Sequence, residues 1–504
     1  MSDPAGVAAA TGASAVPRAD SSLSNPDLAP VPPERRTWTM WSIAALWVGM
    51  AICITTYTLA GGLIKEGMNW WQATLTVFLG NAIVLIPMTL NAHPGTAYGV
   101  PFPVLLRASF GTLGANIPAM MRAFVACGWF GIQTWVGGAA IYATSAVIFG
   151  FNPATKIALP VLGLSPGELF CFLLFWALNM AIILRGMDSI KWLEVWSAPF
   201  LLLTGVGMLI WAVSAAKGWG PMLGEPSKFK TNAEFWPVFA AGLTAMVGYW
   251  ATLSLNIPDF SRFARSQRDQ VIGQALGLPL TMTFYSFLGI AVTSATVVVF
   301  GEAVWDPVQL MAKFGNPALS VLALVTLAIA TLSTNLAANV VSPANDFSNL
   351  APRLISFKTG SLITGVIGIL ICPWKLYQDP QGYIFTWLIG YSALLGPVAG
   401  IMIADYFIHR RKKLNVAALY DPDGEYRFTG GFSLVGLAAF VLAVLPNLPG
   451  FLATVGVLDK AGVPGGFLTI YNYAWFVGFV IAFAIYLGLR KFVREPLRSI
   501  SGRS

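Results

Sequence analysis

Charge is scarce in this sequence: of 504 residues only 10% are Asp, Glu, Lys or Arg, and histidine occurs twice. Chemistry that moves protons or holds a metal draws on clustered acids, bases or soft ligands, and the apolar stretches here hold almost none. The four cysteines, Cys53, Cys127, Cys171 and Cys372, lie in or beside those stretches with no paired spacing. That argues against a disulfide framework or a zinc site and for packing roles. His93 and His409 fall in expected loops, so a histidine relay at membrane depth is not expected. A hydrophilic run long enough for a soluble domain is missing too. The largest loops, near 91–112, 215–234 and 409–430, carry turn pairs such as Pro94-Gly95 and Asp423-Gly424, and one integral membrane domain is the simplest account.

What the sequence has in abundance is apolar surface. It is 56% hydrophobic with a mean hydropathy of +0.69, more than a domain in water can hide. Apolar runs near 39–64, 69–91, 113–148, 166–184, 190–215, 235–257, 271–300, 316–341, 359–374, 383–408, 431–449 and 470–489 are each about long enough for a hydrocarbon core of roughly 30 Å. The reading is therefore an all-α integral membrane protein with about twelve transmembrane helices. The third run is long enough to tilt steeply or to overrun the bilayer. The first follows a long polar arm and lacks a cleavage site, so it is no signal peptide and stays in the mature protein.

Positive charge orients the chain. With both termini inside, Arg35, Arg36, Arg107, Arg185, Arg262, the run Arg410 to Lys413 and the tail from Arg490 share the cytoplasmic face, while the outer loops hold lysines only. The net charge of +8 is thus a topology signal, and nucleic acid is not an expected partner. Arg122, near the cytoplasmic start of the third run, is expected to snorkel to that side. Residues 1–34, rich in Ala, Ser, Pro and Asp, read as a disordered cytoplasmic arm, 35–490 as the membrane domain and 491–504 as a basic cytoplasmic tail. Ser165-Pro166-Gly167-Glu168 reads as a capping box opening the fourth helix.

Polar residues at membrane depth are costly, so function is sought there. On the third run Trp129 and Gln133 share a helical face. An aromatic plate beside a neutral amide suits a flat uncharged ring, and would serve equally as an interfacial Trp and a helix–helix amide bond. The sixth run carries Gly248-Tyr249-Trp250, Thr252, Ser254, Asn256 and Pro258, and the first carries Gly49, Cys53, Thr55, Thr56, Gly61 and Gly62. Both are poor material for a continuous helix, and interrupted segments at matching places in two halves point to a midplane site. On the eighth run Ser333 and Thr334 offer hard oxygen ligands to an alkali cation, and Asn339 stands about 9 Å further on. Both hydroxyls are equally able to bond back to their own helix.

These residues sit within a wider pattern. Asn25-Pro26-Asp27-Leu28 precedes Arg36-Thr37-Trp38, Gly131-Ile132-Gln133-Thr134-Trp135 lies on the third run, and Asn256-Ile257-Pro258-Asp259-Phe260-Ser261-Arg262-Phe263 follows the sixth. Ala338-Asn339-Val340-Val341-Ser342-Pro343-Ala344 and Leu395-Gly396-Pro397-Val398-Ala399-Gly400 continue it. In this order the motifs resemble the nucleobase:cation symporter-1 family of permeases, nearest its bacterial allantoin permeases, with the sodium-coupled benzylhydantoin transporter more distant. The resemblance implies a LeuT-like fold of two inverted five-helix repeats, about 39–215 and 235–408, plus two C-terminal helices at about 431–489. It implies a ring sandwiched between Trp129 and Trp250, with Gln133 and Asn339 as amide partners and Tyr249 and Cys53 beside them. Tyr249 stands where the benzylhydantoin transporter has Gly, which disfavours large substituents, and Cys53 replaces a polar amide. For sodium it implies the carbonyls of Gly49, Ile52 and Ala330 and the hydroxyls of Ser333 and Thr334.

The expected activity is uptake of a small neutral cyclic amide, allantoin or hydantoin, by cation symport with alternating access in the cell membrane. Uracil, cytosine or purine transport and proton coupling are the alternatives within the family. A membrane-embedded enzyme would need an acid, base or metal constellation; Glu194 and Asp405 lie near span ends, where loop salt bridges account for them. A passive channel would show a continuous polar stripe or charged ring. Beyond substrate, lipid and a coupling sodium ion, no cofactor and no obligate protein partner is expected.

Overall fold

The computed structural model describes residues 21–153, 158–160, 162–185, 202–313, 317–377 and 381–493. Among the described residues every element of length is a helix, and β-structure is limited to isolated bridges such as Trp38 with Ala264.

Helix ends fall where the sequence puts capping chemistry. Thr39 with Ser42 and Asn69 with Gln72 form capping boxes that open the first two spans. The Ser165 box is present too: the Glu168 carboxylate accepts from the Ser165 amide at 2.8 Å, and Ser165 Oγ accepts from the Glu168 amide at 3.2 Å. At the far ends of the second and third spans Gly99 and Gly150 adopt φ of 72° and 69°, the left-handed region where a Cβ is disfavoured.

Among the described residues eight helices are long and apolar enough to cross a membrane, and Met40–Ala51 with Ile54–Lys65 makes a ninth, bent by 58°. Span three, Asn116–Phe149, has 34 residues, about 51 Å of helix, the length expected of a span that tilts steeply or overruns the bilayer. Leu202–Ala215 and Phe357–Leu370 stand at the fifth and ninth expected positions as shorter apolar helices. Asn232–Tyr249 and Ala251–Asn256 occupy the sixth. Large apolar side chains face outward on these helices; Phe170, Leu203 and Val480 are 67%, 68% and 62% exposed, as a lipid solvent requires.

The spans pack in two groups. Span three lies against four (Pro166–Arg185), eight (Pro317–Asn339) and nine, while seven (Gln267–Phe300) lies against one and two (Trp70–Tyr98), and six against two. Span ten, Ile389–Ile403 with wide-turn helical segments before and after it, packs on the last two helices, Leu434–Val444 and Ala474–Phe492. A site between the two groups is therefore lined by spans one, three, six, eight and ten.

Three expectations need correction. The 91–112 loop is largely helical, since span two runs to Tyr98 and Phe102–Phe110 is a buried helix, so His93 is a helix residue. Pro94-Gly95 is not a turn: a Cβ on Gly95 would sit 2.8 Å from Pro258 Cα, so the glycine serves close packing. Residues 21–34, assigned to a disordered arm, lie docked at the arginine-rich end because Leu23, Leu28 and Val31 bury there and Asn25 Oδ1 accepts from the Leu28 amide at 3.0 Å. The rest of the arm, residues 1–20, and the tail from 494 lie outside the described residues.

Candidate functional site

Span one breaks inside a run of β-branched residues, Ile52, Ile54, Thr55 and Thr56, that lose χ1 freedom in a helix. Ile52 (φ −79°, ψ 81°) and Cys53 (φ −146°, ψ 162°) leave helical geometry. The Cys53 amide donates to the Ala51 carbonyl at 3.0 Å instead of to Gly49, which frees the Gly49 carbonyl. Span six pauses at Trp250 (φ −102°, ψ 6°) and ends before Pro258. Both expected interruptions are thus present.

Aromatic rings from three spans meet at these breaks. Trp129 stands edge-on to Tyr249, centroids 5.0 Å apart, and 6.3 and 6.5 Å from Trp387 and Tyr391 of span ten. Tyr249 is also edge-on to Trp250 at 4.9 Å. Trp250 is turned toward spans one and two: its indole donates to Asn81 Oδ1 at 2.9 Å, and its ring meets Trp47 at 5.1 Å. In this structure Tyr249 is therefore the ring that touches both tryptophans. Its hydroxyl lies 2.7 Å from Thr55 Oγ1 and 3.1 Å from both Thr56 Oγ1 and Cys53 Sγ. Trp387 was not among the expected residues; Gly128 marks it, because a Cβ there would meet the indole at 2.2 Å.

Gln133, one turn from Trp129, is 3% exposed. Its Oε1 is buried without a partner among the described residues, a condition that costs about 1–3 kcal/mol. Asn339 donates to Asn335 Oδ1 at 3.0 Å, and Asn335 in turn donates to Thr134 and Asn179, both at 3.1 Å. Span eight is thereby fixed to spans three and four, with Asn339 at its end. Trp129, Gln133, Tyr249, Trp250, Asn339 and Cys53 are all buried, so a ligand reaches them only when the packed helices part.

Span one touches span eight, the helix that carries Ala330, Ser333 and Thr334. Thr326 and Thr331 bond back to carbonyls one turn earlier, each at 2.7 Å, as Thr in a membrane helix usually does. Ser333 and Thr334 are buried on the same helix. The backbone of Ala330 lies one turn before Thr334, and Gly49 and Ile52 flank the break in span one.

Buried charge was missed by sequence reasoning. Arg122 does not snorkel: it is buried, with Nη1 3.2 Å from Asp346 and Nη2 donating to Asn256 Oδ1 at 2.9 Å. Asp259 Oδ1 accepts from the Phe102 amide at 3.0 Å. Asp259 Oδ2 and Asp346 Oδ1 have no partner among the described residues. An arginine inside an apolar run demands a counter-charge, and that signal was available. Asp405 is salt-bridged to Arg410 at 2.8 Å, as expected; Glu194 lies outside the described residues.

The family model for permeases of cytosine/purines, uracil, thiamine and allantoin matches residues 30–478. The chain belongs to this family. The permease is 46% identical over 489 residues to the purine-uracil permease NCS1 of Arabidopsis thaliana, covering 96% of this chain and 80% of that one. It is 43% identical to the allantoin permease of Bacillus subtilis, over 93% of both chains. It also matches the structure of Mhp1, a nucleobase-cation-symport-1 family transporter in a closed conformation with bromovinylhydantoin bound, with a TM-score of 0.76 and 26% identity over 95% of this chain and 98% of that one. The permease is thus a multi-pass membrane transporter with the LeuT-like fold, and its relatives are permeases, not enzymes.

Proposed function

We propose that this permease takes up a small neutral cyclic amide, allantoin or a hydantoin with a small substituent, by sodium symport across the cell membrane with both termini cytoplasmic. The reading rests foremost on the Trp129 and Gln133 face. A buried amide oxygen without a partner, one turn from an aromatic plate, suits a ring that brings N–H donors of its own. Stacking plus amide pairing binds such a ring without any charge.

Tyr249 fills space beside Trp129, which supports a compact substrate over one with a bulky arm. The resemblance to the Arabidopsis purine-uracil permease favours a second reading, a nucleobase substrate on the same face. For the ion, the adjacent buried hydroxyls of Ser333 and Thr334 on span eight support sodium, while the unpartnered oxygens of Asp346 and Asp259 favour a proton as the second reading. Competition against radiolabelled allantoin uptake by hydantoin, uracil, cytosine and hypoxanthine tests the substrate. Hydantoin as the strongest competitor upholds the first reading, and hypoxanthine or uracil out-competing unlabelled allantoin replaces it with the second.

A further inference from the structure

We infer that Tyr249 is the positioning residue that links cation binding to substrate binding, by holding the break in span one through its hydroxyl while its ring lies against the substrate plate. The inference rests on the sodium reading above and goes beyond it, because it assigns the coupling to one side chain. Tyr249 Oη reaches Thr55 at 2.7 Å and Cys53 and Thr56 at 3.1 Å, and all three lie within four residues after Ile52, at the bend of 58°. Cys53 opens the second half of span one without a side-chain cap of its own. The backbone there is fixed neither by a continuous helix ladder nor by a cap, so this cluster of hydroxyls and thiol is the grip on it. The carbonyls proposed for sodium, Gly49 and Ile52, belong to the same segment.

At its other end the Tyr249 ring touches Trp129 at 5.0 Å and Trp250 at 4.9 Å. A ring stacking on Trp129 must settle against Tyr249 or shift it. A shift of the tyrosine pulls on residues 53–56 and hence on the break, and an ion that fixes the break fixes the tyrosine in return. Coupling between two equilibrium sites is reciprocal and commonly reaches about 5- to 150-fold. Phenylalanine keeps the ring and removes the grip, so it separates the link from the stacking.

The test is equilibrium binding of radiolabelled allantoin to the purified full-length protein, in sodium and in choline at equal ionic strength. In the wild type, sodium tightens allantoin binding and allantoin tightens sodium binding by the same factor. In Tyr249→Phe that factor falls to within about twofold of one, below the range of ordinary coupling. Thr55→Val, which removes the partner at the shortest distance and leaves the ring untouched, lowers it too. Thr55→Ser, which keeps the hydroxyl, restores it, which a loss of packing alone would not do. Should Tyr249→Phe fail to fold, the Thr55 pair carries the same expectation. A wild type whose allantoin affinity ignores sodium overturns the sodium reading and this inference together. A wild type that responds, with Tyr249→Phe and Thr55→Val responding equally, overturns the inference alone.

Discussion

The middle of the permease and its arginine-rich end treat polar groups in opposite ways. Around Trp129 the polar atoms are uncharged and some are unspent: Gln133 Oε1 and Trp387 Nε1 lack a partner among the described residues. At the arginine-rich end the buried groups carry charge and most of their atoms are bound; among the described residues Arg107 Nε, Asp259 Oδ2 and Asp346 Oδ1 count with the exceptions. Arg107 donates to the carbonyls of Leu419 and Leu23 and to Asn349 Oδ1, at 2.8, 2.9 and 2.6 Å, and its pKa is lowered to about 10 by burial. Arg410 is paired with Asp405, and Tyr486 donates to the same carboxylate at 2.7 Å. Buried polar groups that are satisfied fix a structure, and those left open are a cost that a ligand can relieve. The contrast assigns stability to the end and binding to the middle.

The most forceful way to break this contrast is at Arg122. Arg122→Ala leaves Asp346 buried and uncompensated, and thermal unfolding in detergent should show a loss of about 3–5 kcal/mol. Adding Asp346→Asn should recover much of it, since the two residues act as a pair. Equal losses in the single and double variants would contradict the pairing. Gln133→Ala should do the reverse, weakening allantoin binding by about 1–3 kcal/mol, roughly 5- to 150-fold, while leaving the unfolding temperature unchanged or higher. A Gln133→Ala protein that binds as the wild type does would remove the amide from the site.

The smallest effect concerns the ion. Thr334→Ala should raise the sodium concentration for half-maximal uptake by about threefold to tenfold, the worth of one hydroxyl contact of about 0.5–1.5 kcal/mol, in a protein that still folds and inserts. If Thr334→Ala leaves the sodium dependence untouched, the hydroxyl is no ligand.

Much of this was legible in the sequence, for physical reasons. Lipid forces apolar length on every span, so the helices could be located, and the glycine and hydroxyl content of the first and sixth runs gave away their interruptions. Gln133 stood out because a lone amide is conspicuous on an apolar helix. What escaped was long-range pairing. Asp346 and Asp259 lie beyond the apolar runs in which polar residues were sought, yet the chain folds them under span three to meet Arg122 and the Phe102 amide. Leu23, Leu28 and Val31 escaped because three apolar residues among prolines and serines carry no periodicity. Nor could the sequence tell that Tyr249, placed beside the expected sandwich, would contact both tryptophans; that depends on the rotation of Trp250 toward Asn81.

The central claim is sodium-driven uptake of a small neutral cyclic amide, and accumulation of radiolabelled allantoin in proteoliposomes tests it most directly. With an inward sodium gradient at fixed pH, allantoin should accumulate above its external concentration and the accumulation should vanish when choline replaces sodium. Undiminished accumulation in choline, abolished instead by a protonophore, would contradict the account and transfer the coupling to a proton.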